Sequence, residues 1–195
     1  MLAGSGLTCF AQGDTIQIKQ NVLRYADSSA IAFKNRDWKT LARFTAPSVV
    51  EIMGGVENFE SVTQSFMKDV PDSAIKYIRI GPVTQLVKTN SDWQSIVLQH
   101  MQMELSGIRF TSTTPLIGQS LDEGKTWTFF DSKGDTATAR LMLPDISPLL
   151  VLPKKVQDMQ TLEKPKKTPV KPVAKPMKKN SGVKPAAKKV PSKKR

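Results

Sequence analysis

The chain has few of the residues on which several common classes of protein depend. Its 195 residues include one cysteine, Cys9, and one histidine, His100. A single cysteine excludes an internal disulfide framework, and one cysteine with one histidine cannot form a Cys/His zinc site. No run approaches the roughly 18 apolar residues that a transmembrane helix needs, and no phosphate-binding glycine loop or dinucleotide fingerprint occurs. We therefore expect no metal and no cofactor.

Acidic residues are scarce at the C-terminal end, where the basic residues gather. Of the 29 Lys and Arg residues, 15 lie in residues 154–195, together with only two of the 17 acidic residues and no aromatic residue. Residues 1–153 hold the other 14 basic and 15 acidic residues. The net charge of +12 is therefore a property of the tail, and the rest of the chain is close to neutral.

The tail, residues 153–195, repeats Lys-rich and Pro-rich units such as TPVKPVAKP and VKPAAKKVPSKKR. Proline interrupts helices and strand ladders, and the apolar surface is too small to offset the entropy of ordering, so we expect disorder. Three roles stay open: contact with an envelope surface or another polyanion, non-specific nucleic-acid binding, or a spacer without a partner. Because no aromatic residue lies between the lysines, base stacking by the tail is excluded.

The N-terminal residues 1–13, MLAGSGLTCFAQG, are small, apolar and uncharged until Gln12. They resemble the last part of an export signal, with Ala11 before the cleavage site and Gln12 as the new N-terminus. The basic segment and most of the apolar segment of such a signal are missing, so we interpret residues 1–13 as a truncated remnant. This interpretation predicts a periplasmic or secreted protein, and the alternative is an ordinary cytoplasmic N-terminus.

Residues 14–152 form one domain of ordinary size with helices in its first half. Apolar residues at helical spacing predict a helix over residues 15–36, and Asp37 is placed to cap a second, short helix before Pro47. Residues 48–53 have the pattern of a strand, which Gly54 and Gly55 would end. Residues 56–69 return to helical spacing.

The second half changes to the pattern of an antiparallel sheet. Long β-type segments are predicted over residues 75–87, 92–105, 108–121 and 126–130, and short turns between them require antiparallel neighbours. Gly81-Pro82 indicates a kink or an edge strand, and residues 135–143 are predicted as a last helix. The expected fold class is α+β, with helices packed on one face of a curved antiparallel sheet.

This order of elements resembles the cone fold of nuclear transport factor 2-like proteins, which include ketosteroid isomerases and SnoaL-type polyketide cyclases. The resemblance covers about residues 15–131 and depends on the segment NRDWKTLARFTAPSVVEIMGG, residues 35–55. It implies a cavity between the helices and the concave sheet, and a homodimer formed through the sheet. The cavity would be lined mostly by apolar side chains.

The resemblance does not carry the isomerase chemistry to this chain. The position of the general base, after Val50-Glu51, holds Ile52, which cannot accept a proton. The position of the tyrosine that stabilises the oxyanion holds Ser29, and Tyr25 lies one turn earlier. Abstraction of a proton beside a carbonyl needs both groups at one atom, so this activity is not expected.

Other candidate site residues lie on the first helix and on the segment SIVLQHMQMEL. Alternation puts Val97, Gln99, Met101 and Met103 on a helix-covered face, and His100, Gln102 and Glu104 on an exposed or dimer-facing one. A bulge would reverse this register and place the second set in the cavity as an acid/base group. The candidate catalytic residues are thus His100, Glu104 and Tyr25. The candidate ligand-binding residues are Tyr25, Ser29, Phe33, His100 and Gln102.

One motif matches a known pattern in full. Residues 120–127, SLDEGKTW, read S-x-D-x-G-x-T-W, the Asp-box of sialidase-like propellers. Propellers repeat this motif in every blade, and the chain has one copy, so we expect a structural hairpin instead of a glycosidase site. The predicted hairpin residues are Ser120, Asp122, Gly124, Thr126 and Trp127.

These patterns favour a non-catalytic cone-fold domain of an exported protein, which binds a small apolar or amphipathic ligand or a protein partner. Its basic tail would contact polyanions. Two alternatives stay open. One is a cone-fold isomerase, cyclase or hydratase using His100, Glu104 or Tyr25, and the other is a non-specific nucleic-acid-binding protein acting through the tail.

Overall fold

The computed structural model describes residues 12–162. The predicted signal remnant in residues 1–13 lies almost wholly outside this range. Most of the predicted disordered tail, from residue 163 onward, lies outside it as well.

Four helices occupy the N-terminal part of the described chain, and a fifth follows the sheet. Asp37 caps the second helix as predicted, because its carboxylate accepts a hydrogen bond of 3.0 Å from the Thr40 backbone N–H. The helices predicted over residues 15–36, 56–69 and 135–143 are present with slightly different ends. The helices are α1 (Gln12–Lys34), α2 (Trp38–Phe44), α3 (Pro47–Ile52), α4 (Val56–Met67) and α5 (Thr136–Met142), with a 3-10 turn at Asp72–Ala74.

The strand predicted for residues 48–53 is wrong, because this segment forms α3. A short apolar run has the same appearance in a buried strand and in a short helix. Pro47 occupies the first helical position, where a missing N–H costs no hydrogen bond. Gly54 and Gly55 follow with φ angles of +88° and +93°, so they end this helix instead of a strand.

Five strands form one antiparallel sheet. Its path runs β1-β2-β3-β4, and β5 also pairs with β3. As Gly81-Pro82 predicted, β1 is an edge strand, and its pairing with β2 shifts register around these residues. The strands are β1 (Ile75–Lys88), β2 (Trp93–Leu105), β3 (Ile108–Ser120), β4 (Thr128–Asp131) and β5 (Val156–Thr161).

The last strand corrects the expectation for the tail. Disorder was expected from residue 153 onward, yet residues 156–161 form β5 and pair with residues 108–113 of β3. This segment, VQDMQT, contains no proline, and β4 occupies only the 116–119 part of that edge of β3. Pairing with β3 satisfies the backbone groups of a segment whose side chains are all exposed.

The core has four clusters of buried side chains, and the two largest lie on opposite faces of the sheet. On the first face α1 contributes Ile18, Val22 and Ala26, which are 8%, 0% and 0% exposed. They pack against Trp93, Val97, Leu116, Trp127 and Phe129. Burial of a side chain such as Val22 contributes about 1.5–3 kcal/mol to stability. The α+β class is therefore confirmed, and α1 covers the Val97 face of β2 as predicted.

The opposite face of the sheet is covered at one end. Ile96 and Ile117 are both 0% exposed, because α5 and the residues that follow it pack there. The face that carries His100, predicted to be exposed or dimer-facing, is therefore covered within the chain at this end. The far end of the same face, around His100, carries half-buried and exposed side chains.

Candidate ligand-binding cavity

A cavity of about 430 Å³ lies between the helices and the Val97 face of the sheet. Its walls come from α1 to α3, from the first four strands and from α5. Most of the lining is apolar, which is usual for sites that bind small molecules. The apolar lining residues are Phe33, Leu41, Val49, Ile78, Met101, Leu116, Phe129, Phe130 and Met142.

Five uncharged polar side chains interrupt this apolar lining. One of them, Thr45, donates its hydroxyl to the Leu41 carbonyl at 2.9 Å. The other four are Ser29 on α1, Gln99 on β2, and Ser112 and Thr114 on β3. Ser112 and Thr114 are 7% and 5% exposed. Within residues 12–162, no hydrogen bond joins any of these four side chains to another protein group. Buried polar groups normally have partners, so these four are available to a molecule in the cavity.

The cavity also has a charged pair in its lining, Asp131 and Lys155. The Lys155 Nζ lies 3.5 Å from the Asp131 Oδ2, and the Asp131 Oδ1 accepts a hydrogen bond of 2.5 Å from the Lys133 backbone N–H. The two charges compensate each other. Within the described chain, the lining therefore presents no uncompensated charge to a ligand.

The structure separates the residues that the sequence proposed as one site. Ser29 and Phe33 line the cavity, as predicted for ligand-binding residues. Tyr25 instead lines a different groove, between α1 and α2. His100 lies on the opposite face of the sheet, because β2 and β3 pair without a register shift from Trp93 to Leu105.

His100, Gln102 and Glu104 therefore form no acid/base group in the cavity. The His100 Nδ1 lies 2.9 Å from the Thr113 Oγ1. Glu104 accepts hydrogen bonds from Arg109 at 2.8 Å and lies 3.5 Å from the Lys76 Nζ. The hydrogen bond from Arg109 lowers the pKa of Glu104, so this carboxylate is held ionised and is a poor proton acceptor.

The two positions compared with the isomerases also lie apart. Ile52 is at the end of α3, with 60% of its surface exposed, instead of on a strand facing the cavity. Ser29 lines the cavity. These two positions therefore supply neither the carboxylate base nor the tyrosine hydroxyl of the isomerases.

The Asp-box forms the hairpin that its sequence predicts. The Asp122 Oδ1 accepts hydrogen bonds from the Ser120 Oγ and the Thr126 N–H, at 2.8 and 2.9 Å. Gly124 has a φ of +79°, and its carbonyl accepts a 3.1 Å hydrogen bond from the Trp127 Nε1. Trp127 is 1% exposed, so the turn anchors one end of the α1 core.

Several cavity residues were missed by sequence reasoning. Gln99 and Met101 were assigned to the helix-covered face, which is right, but no ligand role followed from that. The same alternation in β3 puts Ser112, Thr114 and Leu116 on one face, and this signal was available in the sequence. Asp131 and Lys155 are 24 residues apart and meet only through the tertiary fold.

Residues 12–162 contain neither a cluster of metal ligands nor a helix suited to cross a membrane. Among residues 12–162, no group of three or more His, Cys, Asp or Glu side chains is arranged to hold a metal ion. In the same range, no helix has the length and apolar character needed to cross a membrane. Comparison of the chain with protein-family models, curated proteins and solved structures finds no match in any of the three.

Proposed function

We propose that this chain is a cone-fold protein of the nuclear transport factor 2-like class, which binds a small, uncharged amphipathic molecule without catalysing a reaction. The observation that supports this proposal most directly is the apolar cavity, in which four polar side chains have no hydrogen-bond partner within the described chain. The α+β architecture, with a cavity between α1, α2, α3 and the antiparallel sheet, supports the fold assignment.

The chemistry of the ligand follows from the lining. Two hydroxyls on β3, one on α1 and the amide of Gln99 can donate and accept hydrogen bonds. They match hydroxyl, carbonyl or amide groups on an otherwise apolar molecule. A charged ligand is disfavoured, because Asp131 and Lys155 already neutralise each other and burial of an unpaired charge is costly.

The absence of catalysis in this proposal is supported by the positions of the candidate acid/base residues. His100 and Glu104 lie on the other face of the sheet from the cavity, and Tyr25 lines a separate groove. General acid–base catalysis needs such groups within hydrogen-bond reach of the same substrate.

Two neighbouring threonines of β3 provide a matched test. Thr114 faces the cavity, whereas Thr113 faces the opposite side and contacts His100. With the uncharged fluorescent probe Nile red, we expect Thr114→Phe to weaken binding at least tenfold, because the new ring fills the cavity. Thr113→Phe should change affinity less than twofold. Equal binding by both variants, with native circular dichroism spectra, would show that the probe binds elsewhere and would reject the cavity as the site.

The basic tail is a second functional element of the proposal. We propose that the exported protein uses it to contact an anionic polymer or lipid surface. Its positive charge and its lack of aromatic residues support non-specific electrostatic contact, which does not depend on the sequence of the partner. The small, uncharged residues that end at Ala11 support export.

A further inference from the structure

A second concave site lies between α1 and α2, beside the Asp-box turn. It is a groove of about 560 Å³, separate from the cavity described above. Helix α1 contributes Arg24, Tyr25 and Ser28. The remaining lining residues are Thr40, Arg43 and Phe44 of α2 and Thr126 of the Asp-box turn.

Two arginines without an ion-pair partner in the described chain line this groove. Within residues 12–162, no carboxylate lies within ion-pair distance of the Arg24 or the Arg43 guanidinium group. Arg24 donates one hydrogen bond of 3.2 Å to the neutral Asn21 side chain. Most of the guanidinium donors are therefore available, and this planar group binds phosphate and sulfate through paired hydrogen bonds.

Two groove residues, Thr40 and Thr126, donate hydrogen bonds to carboxylates. Thr40 donates to Asp37, and Thr126 donates to Asp122. These bonds hold each carboxylate at the end of its own helix or turn. Neither carboxylate forms an ion pair with Arg24 or Arg43.

The groove also has an aromatic surface with one free polar atom. The rings of Tyr25 and Phe44 meet edge to face, with centroids 5.9 Å apart. The Arg24 guanidinium lies 5.3 Å from the centroid of the Tyr25 ring. The Tyr25 hydroxyl makes no hydrogen bond to any residue in the described part of the chain, so it can donate to a bound anion.

We propose that this groove binds a small organic anion in which a phosphate or sulfate group is attached to an aromatic ring. Arg24, Arg43 and the Tyr25 hydroxyl hold the anionic group, and the Tyr25 and Phe44 rings contact the aromatic part. This site is separate from the cavity and takes the opposite class of ligand, charged instead of neutral.

The test uses phenyl phosphate and phenyl sulfate as probes, with the full chain, in calorimetric titrations at 200 mM NaCl. At this ionic strength the weak attraction of the basic tail for small anions is screened. We expect saturable binding of at least one probe, and binding of inorganic phosphate or sulfate at least tenfold weaker, because these ions lack the ring.

A matched arginine on the sheet provides the control. Arg79 lies 4.8 Å from the Tyr77 ring centroid, the same kind of pair as Arg24 and Tyr25 but outside the groove. Arg24→Gln with Arg43→Gln should weaken binding at least tenfold, and Tyr25→Phe about threefold. Arg79→Gln should leave it within twofold.

Three results would overturn the proposal. They are no saturable binding of either aryl probe, binding that survives the double arginine variant, or an equal loss with Arg79→Gln. Thr114→Phe separates this site from the neutral-ligand cavity, since it should leave binding of the aryl anion unchanged.

Discussion

At the scale of single residues, the half-exposed carboxylate of Asp122 accepts several hydrogen bonds from Ser120 and Thr126. Burial acts to raise its pKa, but the bonds from Thr126 and Ser120 outweigh burial and lower the pKa below its ordinary value. A lowered pKa in the folded state stabilises the fold at pH values above the ordinary pKa of about 3.9. This contribution is lost as the pH falls through the lowered value.

We therefore expect Asp122→Ala to reduce the free energy of unfolding at pH 7 by about 2 kcal/mol, as for hydrogen bonds to a charged group. The difference from the wild type should be the same at pH 5 and smaller at pH 3. Urea unfolding at the three pH values measures it. Asp69→Ala is the control, because this exposed carboxylate makes no hydrogen bond within the described chain. Equal losses from both variants would contradict this role for Asp122.

At the scale of elements, two glutamines fasten the segment 143–152 to the sheet. Gln94, 0% exposed, accepts a 2.7 Å hydrogen bond from the Ser147 backbone N–H and donates one of 3.0 Å to the Asp145 carbonyl. Gln85 makes the same pair of bonds with the backbone of Val151, at 2.8 and 2.6 Å, but at an exposed position. Each side-chain amide thus accepts from one backbone N–H and donates to one backbone carbonyl of this segment, as the backbone of a neighbouring strand would.

Removal of these amides should have unequal effects. Gln94→Leu leaves the buried Ser147 N–H without a partner and also removes the hydrogen bonds of Gln94 to the buried Asp92 carboxylate, so we expect a loss of about 3 kcal/mol. Gln85→Leu exposes the backbone groups of Val151 to water, and its loss should stay below about 1 kcal/mol. Amide hydrogen exchange should accelerate at Ser147 and its neighbours in the Gln94 variant. Similar losses from the two variants would show that burial does not decide the strength of these bonds.

At the same scale, the long strands could be predicted from the sequence and the short strand β5 could not. The long strands were predicted nearly to their ends, because alternation and local turn residues define them. The β2–β3 turn is an example, with Ser106 and Gly107 at φ angles of +52° and +78°. The strand β5 was missed, because its order depends on pairing with β3, about 50 residues away, and not on its composition.

The candidate site shows the same limit. Local alternation correctly placed Gln99 on the covered face, and Phe33, a predicted ligand-binding residue, does line the cavity. The closure of the cavity by Met142 and Lys155 depends on where α5 and the segment before β5 pack. No local pattern contains that information, so the cavity could be predicted only in part.

At the scale of the whole molecule, the excess of positive charge lies entirely in residues 163–195. Because Lys154, Lys155 and Asp158 belong to the described chain, residues 1–162 hold 16 basic and 16 acidic residues. Residues 163–195 hold 13 basic residues and one acidic residue. The protein is therefore a domain without net charge, joined to a segment of net charge +12, so we expect that segment to dominate its attraction to polyanions.

Two full-length variants with the same change of charge test this division. The first carries five substitutions to glutamine in the tail, at Lys188, Lys189, Lys193, Lys194 and Arg195. The second carries five in the domain, at Lys19, Lys39, Lys68, Lys133 and Arg140. Attraction to a polyanion grows with the number of cations that contact it, and salt weakens it steeply.

We expect the tail variant to elute from immobilised heparin at a clearly lower salt concentration than the wild type. The domain variant should elute with the wild type, since its lysines lie among an equal number of carboxylates and are not concentrated in one segment. An equal shift in both variants would mean that net charge alone governs binding. A shift only in the domain variant would move the polyanion site from the tail to the folded surface.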